Sequence, residues 1–247
     1  MKIALKDNFQ NLRVGDQIRL DELFVYEVVG IKEGGMAFVL IVERITDAPF
    51  YDDLHRKKLA IKIFKHPTRA NVNPELFEHE LKVWIQIDSE SIAQLLKIVL
   101  LRDTISAIMP YYPSDLRQII NKTGKLDEYH SPLLLLHIIK GLYEAHKQLK
   151  LIHQDIKPEN VLSNSKVLSD DSRFYITDWG IANVQDYYLP KDPNMCTKYE
   201  YAESLSTIGT VPYMSPDRLV GGPARIETDI YSLGIMLFEI LFWISSI

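Results

Sequence analysis

The chain has 247 residues, of which 47% are hydrophobic and 25% charged, with a net charge of −5. These values describe a globular protein with enough apolar material for a core, and they give no electrostatic reason to expect a nucleic-acid partner. The lone cysteine, Cys196, excludes an internal disulfide framework and fits a reducing, cytoplasmic setting. Residues 1–16 carry charges throughout without an apolar segment, so they do not read as a signal peptide.

Residues 24–30 and 37–45 are rich in β-branched and aromatic side chains and are predicted as strands. The turn between them, Lys32 to Val39, holds Gly34 and Gly35, which let a backbone approach a phosphate closely. By itself this also fits a plain hairpin. Residues 46–57 are polar and include a proline, so they read as a loop. Residues 58–64 form the next predicted strand, whose alternation puts Ala60, Lys62 and Phe64 on one face. A lysine among apolar neighbours needs a partner or an edge from which to reach water.

Asn73-Pro74 then reads as a helix start, with the helix running roughly to Ile87. Phe77, Leu81 and Trp84 fall on one face, and Glu80 lies among them. Glu78 lies off that face and can pair with Lys82, so Glu80 is the acid that must find a cation, with Lys62 as candidate. Residues 92–101 and 104–109 are predicted strands joined by a turn at Arg102-Asp103, and Pro110 to Pro113 break the pattern. Ser131-Pro132 marks another helix start, with residues 133–149 helical by periodicity. Short strands are expected at about 160–168 and 173–177, followed by a long polar segment from Asp178 to Asp217. Thr228 is read as the cap of a helix starting at Asp229. Residues 230–247 are almost wholly apolar, but Glu239 near their middle argues against a membrane span.

The chemistry concentrates in His153-Gln154-Asp155-Ile156-Lys157-Pro158-Glu159-Asn160-Val161-Leu162. Asp155 can accept a proton from a hydroxyl, Lys157 can neutralise a phosphoryl group, and Asn160 offers an amide oxygen to a hard cation. Ile176-Thr177-Asp178-Trp179-Gly180 adds a second acid. Phosphoryl transfer needs positioning and charge neutralisation of this kind, with little covalent chemistry.

The two stretches resemble the catalytic loop and the metal-binding Asp-Phe-Gly element of Hanks-type protein kinases. Residues 209–217, Gly-Thr-Val-Pro-Tyr-Met-Ser-Pro-Asp, are similar to the end of that family's activation segment. The likeness runs from about residue 24 onward. It implies an α+β, two-lobed fold with an antiparallel N-lobe sheet carrying one helix and a mainly helical C-lobe. The implied divisions are an extension at 1–23, an N-lobe at 24–109, a hinge at 110–113 and a C-lobe from 114 to 247, stopping after its central helix.

By the same resemblance Asp155, Lys157, Lys62 and Glu80 are catalytic, and Asn160 and Asp178 hold magnesium. ATP would meet Lys32, Gly34, Gly35, Val39, Ala60, Lys62, Met109, Tyr112, Asp115 and Leu162, and Thr210 would face the protein substrate. The glycine loop departs from the family, with Lys32 and Ala37 at glycine positions. Gln154 stands where many kinases have arginine. A stack of Leu95, Trp84, Trp179 and His153 standing on Asp229 is also implied. The function implied is ATP-dependent phosphorylation of Ser/Thr in proteins. A pseudokinase and a small-molecule kinase of the aminoglycoside type are the alternatives. Lys157 and Thr210 speak against the latter and for a protein substrate. A partner or second copy is expected over the last helix.

Overall fold

The computed structural model describes residues 12–20, 24–33, 37–46, 56–64, 81–101, 104–179 and 211–242. It divides into two units, Met1–Ala70 with Gln94–Tyr111, and Asn71–Ala93 with Tyr112–Ile247.

The first unit is a six-stranded antiparallel sheet of β1 (Gln17–Arg19), β2 (Val25–Glu33), β3 (Ala37–Arg44), β4 (Lys58–Phe64), β5 (Lys97–Leu101) and β6 (Thr104–Pro110). Their order is β1-β2-β3-β4-β6-β5. Strand register sorts the side chains. Leu40, Ile61 and Ile108 face one another across β3, β4 and β6 and enter the core with Tyr26, Val28, Val42 and Leu59. One step along, Val39, Lys62 and Ala107 align on the opposite face, followed by Ile41, Ala60 and Met109. A period of two thus separates an apolar core from a face bearing the buried Lys62. A register shift in β2 between Val28 and Gly30 puts Gly30 opposite Ile41, whose Cδ1 would lie 3.3 Å from an added Cβ.

The sequence reading differs from this sheet in three places. β1 lies in the stretch read as an extension. The strand expected from Ile92 begins only at Lys97, because Ile92 pairs in parallel with Ile176 instead. Pro110 is the last residue of β6, opposite Leu59, and not yet past the strand.

The second unit carries a small sheet, β7 (Ser114–Asp115), β8 (Val161–Ser163) and β9 (Phe174–Ile176), in that order. Four helices are described after Tyr112: α1 (Leu116–Thr123), α2 (His130–Leu149), α3 (Pro216–Leu219) and α4 (Ile226–Phe242). Asp115 caps α1 by accepting the Gln118 N–H at 2.9 Å. Asp127 accepts from the Tyr129 and His130 N–H groups at 3.0 and 2.7 Å. α2 starts at His130, slightly before Ser131-Pro132, with Tyr129 as its N-cap residue. Gly141 of α2 sits against β9, where an added Cβ would lie 3.0 Å from Ile176 Cδ1 and 3.1 Å from the Ser91 carbonyl.

α4 starts three residues before the expected Asp229. Thr228 is inside its first turn and donates its hydroxyl to the Arg225 carbonyl at 2.5 Å, so it is not the cap that the sequence suggests. The helical residues before the first sheet's last strands end at Trp84, short of Ile87.

Candidate active site

Asp229, in the first turn of α4, is fully buried. Its Oδ2 accepts the His153 N–H at 2.8 Å and its Oδ1 accepts the Gln154 N–H at 2.7 Å. His146 of α2 donates from Nε2 to Oδ2 at 2.8 Å. A buried carboxylate is expensive unless satisfied, and three donors satisfy this one. Two successive amides turned to one carboxylate bend the chain sharply, and Gln154 takes φ 66°. For a non-glycine residue that is a sparsely populated conformation held by its surroundings.

The next links follow from hydrogen-bond direction. The Asp155 N–H donates to His153 Nδ1 at 3.2 Å. Nδ1 is therefore the acceptor, so Nε2 carries the proton and donates to the Thr177 carbonyl at 2.7 Å. The imidazole ties the loop to the segment after β9 and meets Trp179 edge-on, 4.7 Å between ring centres. Thr177 N–H donates to the Asn160 carbonyl at 2.9 Å. Asp178, the next residue, has φ 67°.

Within this frame Asp155, Lys157 and Asn160 meet. Lys157 Nζ lies 2.7 Å from Asp155 Oδ2. Asn160 Nδ2 donates to the same Oδ2 and to the Asp155 carbonyl, each at 2.8 Å. Both partners hold Oδ2, which fixes the carboxylate and directs Oδ1 the other way. Asn160 is buried on a 3₁₀ turn, Pro158–Asn160. With its Nδ2 so committed, Oδ1 is the atom that would serve a cation. Asn160 and Asp178 are hard oxygen donors, suited to a divalent ion that takes its other ligands from water and phosphate. Among the described residues no group of three His, Cys, Asp or Glu stands together as a complete metal cage.

Asp115, Leu162 and Tyr175 face one another across β7, β8 and β9. Tyr112 packs on Tyr175 at 4.9 Å. The Asp115 carboxylate is engaged at α1, with both oxygens bonded to Gln118. In the first unit Val39, Ala60, Lys62 and Met109 share one sheet face, and Lys32 is an exposed residue of β2 opposite Val39. Gly34, Gly35, Glu80 and Thr210 lie outside the described residues.

Two polar clusters were not legible in the sequence. Arg117 of α1 donates from Nε to Glu159 at 2.7 Å and from Nη2 to the Tyr213 hydroxyl at 2.6 Å, and its Nη1 pairs with the buried Glu239 of α4. The Tyr213 hydroxyl also donates to Glu239. Burial works against the Arg117 charge, but its bonds to Glu239 and Glu159 outweigh that and hold its pKa above the ordinary value. Burial, then the bond to Glu239, pushes the Tyr213 phenol up. Glu239 was visible as the charge in an apolar run, but its partners were not. In the second cluster Arg218 reaches Gln154.

The arrangement of this loop suits phosphoryl transfer, and comparison with known proteins gives the family. The protein kinase domain family matches residues 50–245, and the chain belongs to it. It is 30% identical over 242 residues to the serine/threonine-protein kinase PknD of Protochlamydia amoebophila (strain UWE25), covering 87% of this chain and 23% of that protein. It is 28% identical over 211 residues to PrkC, a serine/threonine-protein kinase of Bacillus subtilis (strain 168), covering 84% and 28%. Mitogen-activated protein kinase kinase 1 of Arabidopsis thaliana is 24% identical over 225 residues, covering 91% and 56%. The chain thus spans from about a quarter to just over half the length of these relatives.

Proposed function

We propose that the protein transfers the γ-phosphoryl group of ATP to Ser/Thr hydroxyls of protein substrates. The observation that carries this reading is the Asp155–Lys157–Asn160 trio, hydrogen-bonded together on a loop whose backbone is pinned by Asp229. Asp155 orients the acceptor hydroxyl and takes its proton. Lys157, now beside Asp155, neutralises the phosphoryl group in transit, where charge spreads over its oxygens. Asn160 and Asp178 would hold magnesium, which when bound neutralises phosphate charge.

Lys62, with Glu80 as its acid, takes the α- and β-phosphates. Val39, Ala60, Met109 and Leu162 supply apolar surface for the adenine, and the Tyr112 backbone supplies a hydrogen bond. Lys32, Gly34 and Gly35 cover the phosphates, Asp115 serves the ribose and Thr210 the protein substrate. The reading places the protein in the cytoplasm, with further protein or a second copy over the apolar outer face of α4.

The test is magnesium-dependent transfer of labelled phosphate to a generic basic protein, with Asp155→Asn alongside and products read by mass spectrometry. Phosphoserine or phosphothreonine made by the wild type and lost in the variant is the expected result. Equal turnover in the two proteins overturns the assignment.

A further inference from the structure

We propose that Arg218 is a positioning residue for the catalytic loop, setting the Asp155 carboxylate through the Gln154 side chain. The proposal rests on the phosphoryl-transfer reading above. Gln154 immediately precedes Asp155 and holds its left-handed φ of 66° between two contacts. Its N–H is bound by Asp229 at 2.7 Å, and its Oε1 accepts from Arg218 Nη2 at 3.3 Å. The first contact fixes where the backbone amide points. The second restrains the side chain, and through it the rotation of the peptide that leads into Asp155. Catalytic side chains held within about 0.5 Å of productive geometry depend on such supports.

Arg218 is built for the task. It is 8% exposed, an unusual state for a guanidinium on the four-residue helix α3. Burial lowers its pKa, so the fold keeps this charge against a cost. The other arm of the fork, Nη1, donates to the Gly222 carbonyl at 2.7 Å. That carbonyl is itself fixed. Gly222 N–H bonds the Asp217 carbonyl at 2.8 Å and Gly221 N–H bonds the Arg218 carbonyl at 3.0 Å. A Cβ at Gly222 would lie 2.8 Å from the Asp217 oxygen, so the turn admits no side chain there without shifting. A rigid planar fork with one arm anchored in a closed turn aims its second arm at Gln154. A neutral acceptor at 154 is what this arrangement requires. Arginine at that position would set guanidinium against guanidinium.

The experiment uses the full chain and measures kcat, KM for ATP, melting temperature and hydrogen exchange across residues 153–155. The variants are Arg218→Gln, Arg218→Lys, Gln154→Leu, Gln154→Arg and the swap Gln154→Arg/Arg218→Gln. Arg218→Gln, Gln154→Leu and Gln154→Arg are each expected to lower kcat about tenfold, with KM for ATP changed less than about twofold. Arg218→Lys, which cannot span both carbonyls, should fall between them and the wild type. The swap restores an arginine–amide pair and should regain most of the lost kcat.

A lowered melting temperature with unchanged kcat in Arg218→Gln would leave a staple for α3 and overturn the proposal. So would a swap whose loss equals the product of the two single losses, as for independent sites. Should Arg218→Gln fail to fold, Gln154→Leu decides, because it removes the acceptor of the Arg218 bond and leaves Arg218 in place, and an unchanged kcat there refutes the proposal. Absence of phosphotransfer in the wild type would instead sink the functional reading. Faster exchange at 153–155 in Arg218→Gln and Gln154→Leu would then still uphold the positioning role, and unchanged exchange would end it.

Discussion

At the scale of single residues, the proposed phosphoryl transfer depends on groups that act as one unit. Asp155 accepts bonds from Lys157 and Asn160 on one oxygen, so neither partner can be removed without changing what the other meets. Asp155→Asn and Asp178→Asn should each remove most phosphotransfer while leaving the chain folded. Combined, they should cost far less than the product of the two losses, because each disables the same assembly. Single-turnover assays on the two variants and the double variant check this, and near wild-type turnover in Asp155→Asn would refute the role given to Asp155. Asp229 is different in kind. It touches no reacting atom, yet its two oxygens hold three donors from α2 and the catalytic loop. Asp229→Ala should therefore lose folding stability and activity together, by about 3 kcal/mol or more in urea unfolding, since several buried donors lose their acceptor at once.

At the scale of elements, α1, the 3₁₀ turns Pro158–Asn160 and Val211–Tyr213, and α4 are joined by one polar cluster. Arg117 lies 122 positions from Glu239 and 42 from Glu159. Arg117→Met leaves Glu239 buried with its cation gone, and should cost about 3–5 kcal/mol. Urea unfolding beside Glu159→Gln, whose partly exposed carboxylate should matter far less, checks the size. The cluster also sets an alkaline limit. Below the phenol's ordinary pKa of 10.0 Tyr213 is protonated in the folded and unfolded chain alike, and its contribution is whole. Above that pH the unfolded chain ionises while the folded phenol, pushed up by burial and Glu239, stays protonated. Stability should then fall as pH rises past 10.0. Tyr213→Phe should flatten that slope, and an unchanged slope would show that other groups set it.

These elements also show what a sequence can disclose. α2 was legible because its apolar residues recur at helical spacing over many turns, whereas α4, apolar on both sides, was placed from Thr228 and the family resemblance. The meeting of Asp155, Lys157 and Asn160 was legible because all three sit within six residues of one loop. β1, with three residues, offers no period to count, and α1, led by its cap Asp115, has only eight. The true partner of Ile92 is Ile176, far along the chain, and local alternation cannot announce that. Arg117–Glu239 and Arg218–Gln154 escaped for the same reason. Such pairs exist only once the chain is folded.

At the scale of the whole molecule, each unit carries its own buried core, but α4 is apolar on both sides. Leu233, Met236 and Ile240 are buried, while Ile230, Phe238 and Leu241 are 54%, 50% and 45% exposed and Phe242 is 66% exposed. Phe238 and Phe242 stack at 5.0 Å, so the outer stripe is continuous over the helix end. Water against such a stripe is unfavourable by about 25 cal/mol for each Å² of apolar area, and contiguous exposed patches of this sort mark interaction surfaces. Among the described residues no helix is long and apolar enough to cross a membrane. On the reading proposed above, protein covers this stripe. The isolated chain should bind an apolar dye strongly. Ile230→Ser combined with Phe238→Ser should cut that binding while changing stability by only about 0.5 kcal/mol per site. Met236→Ala on the inner side should cost about 2–5 kcal/mol. Sedimentation at rising concentration separates the occupants, because a second copy gives mass action toward a dimer that the double Ser variant abolishes. A monomer that binds no dye would show that the stripe is already covered and would refute the reading.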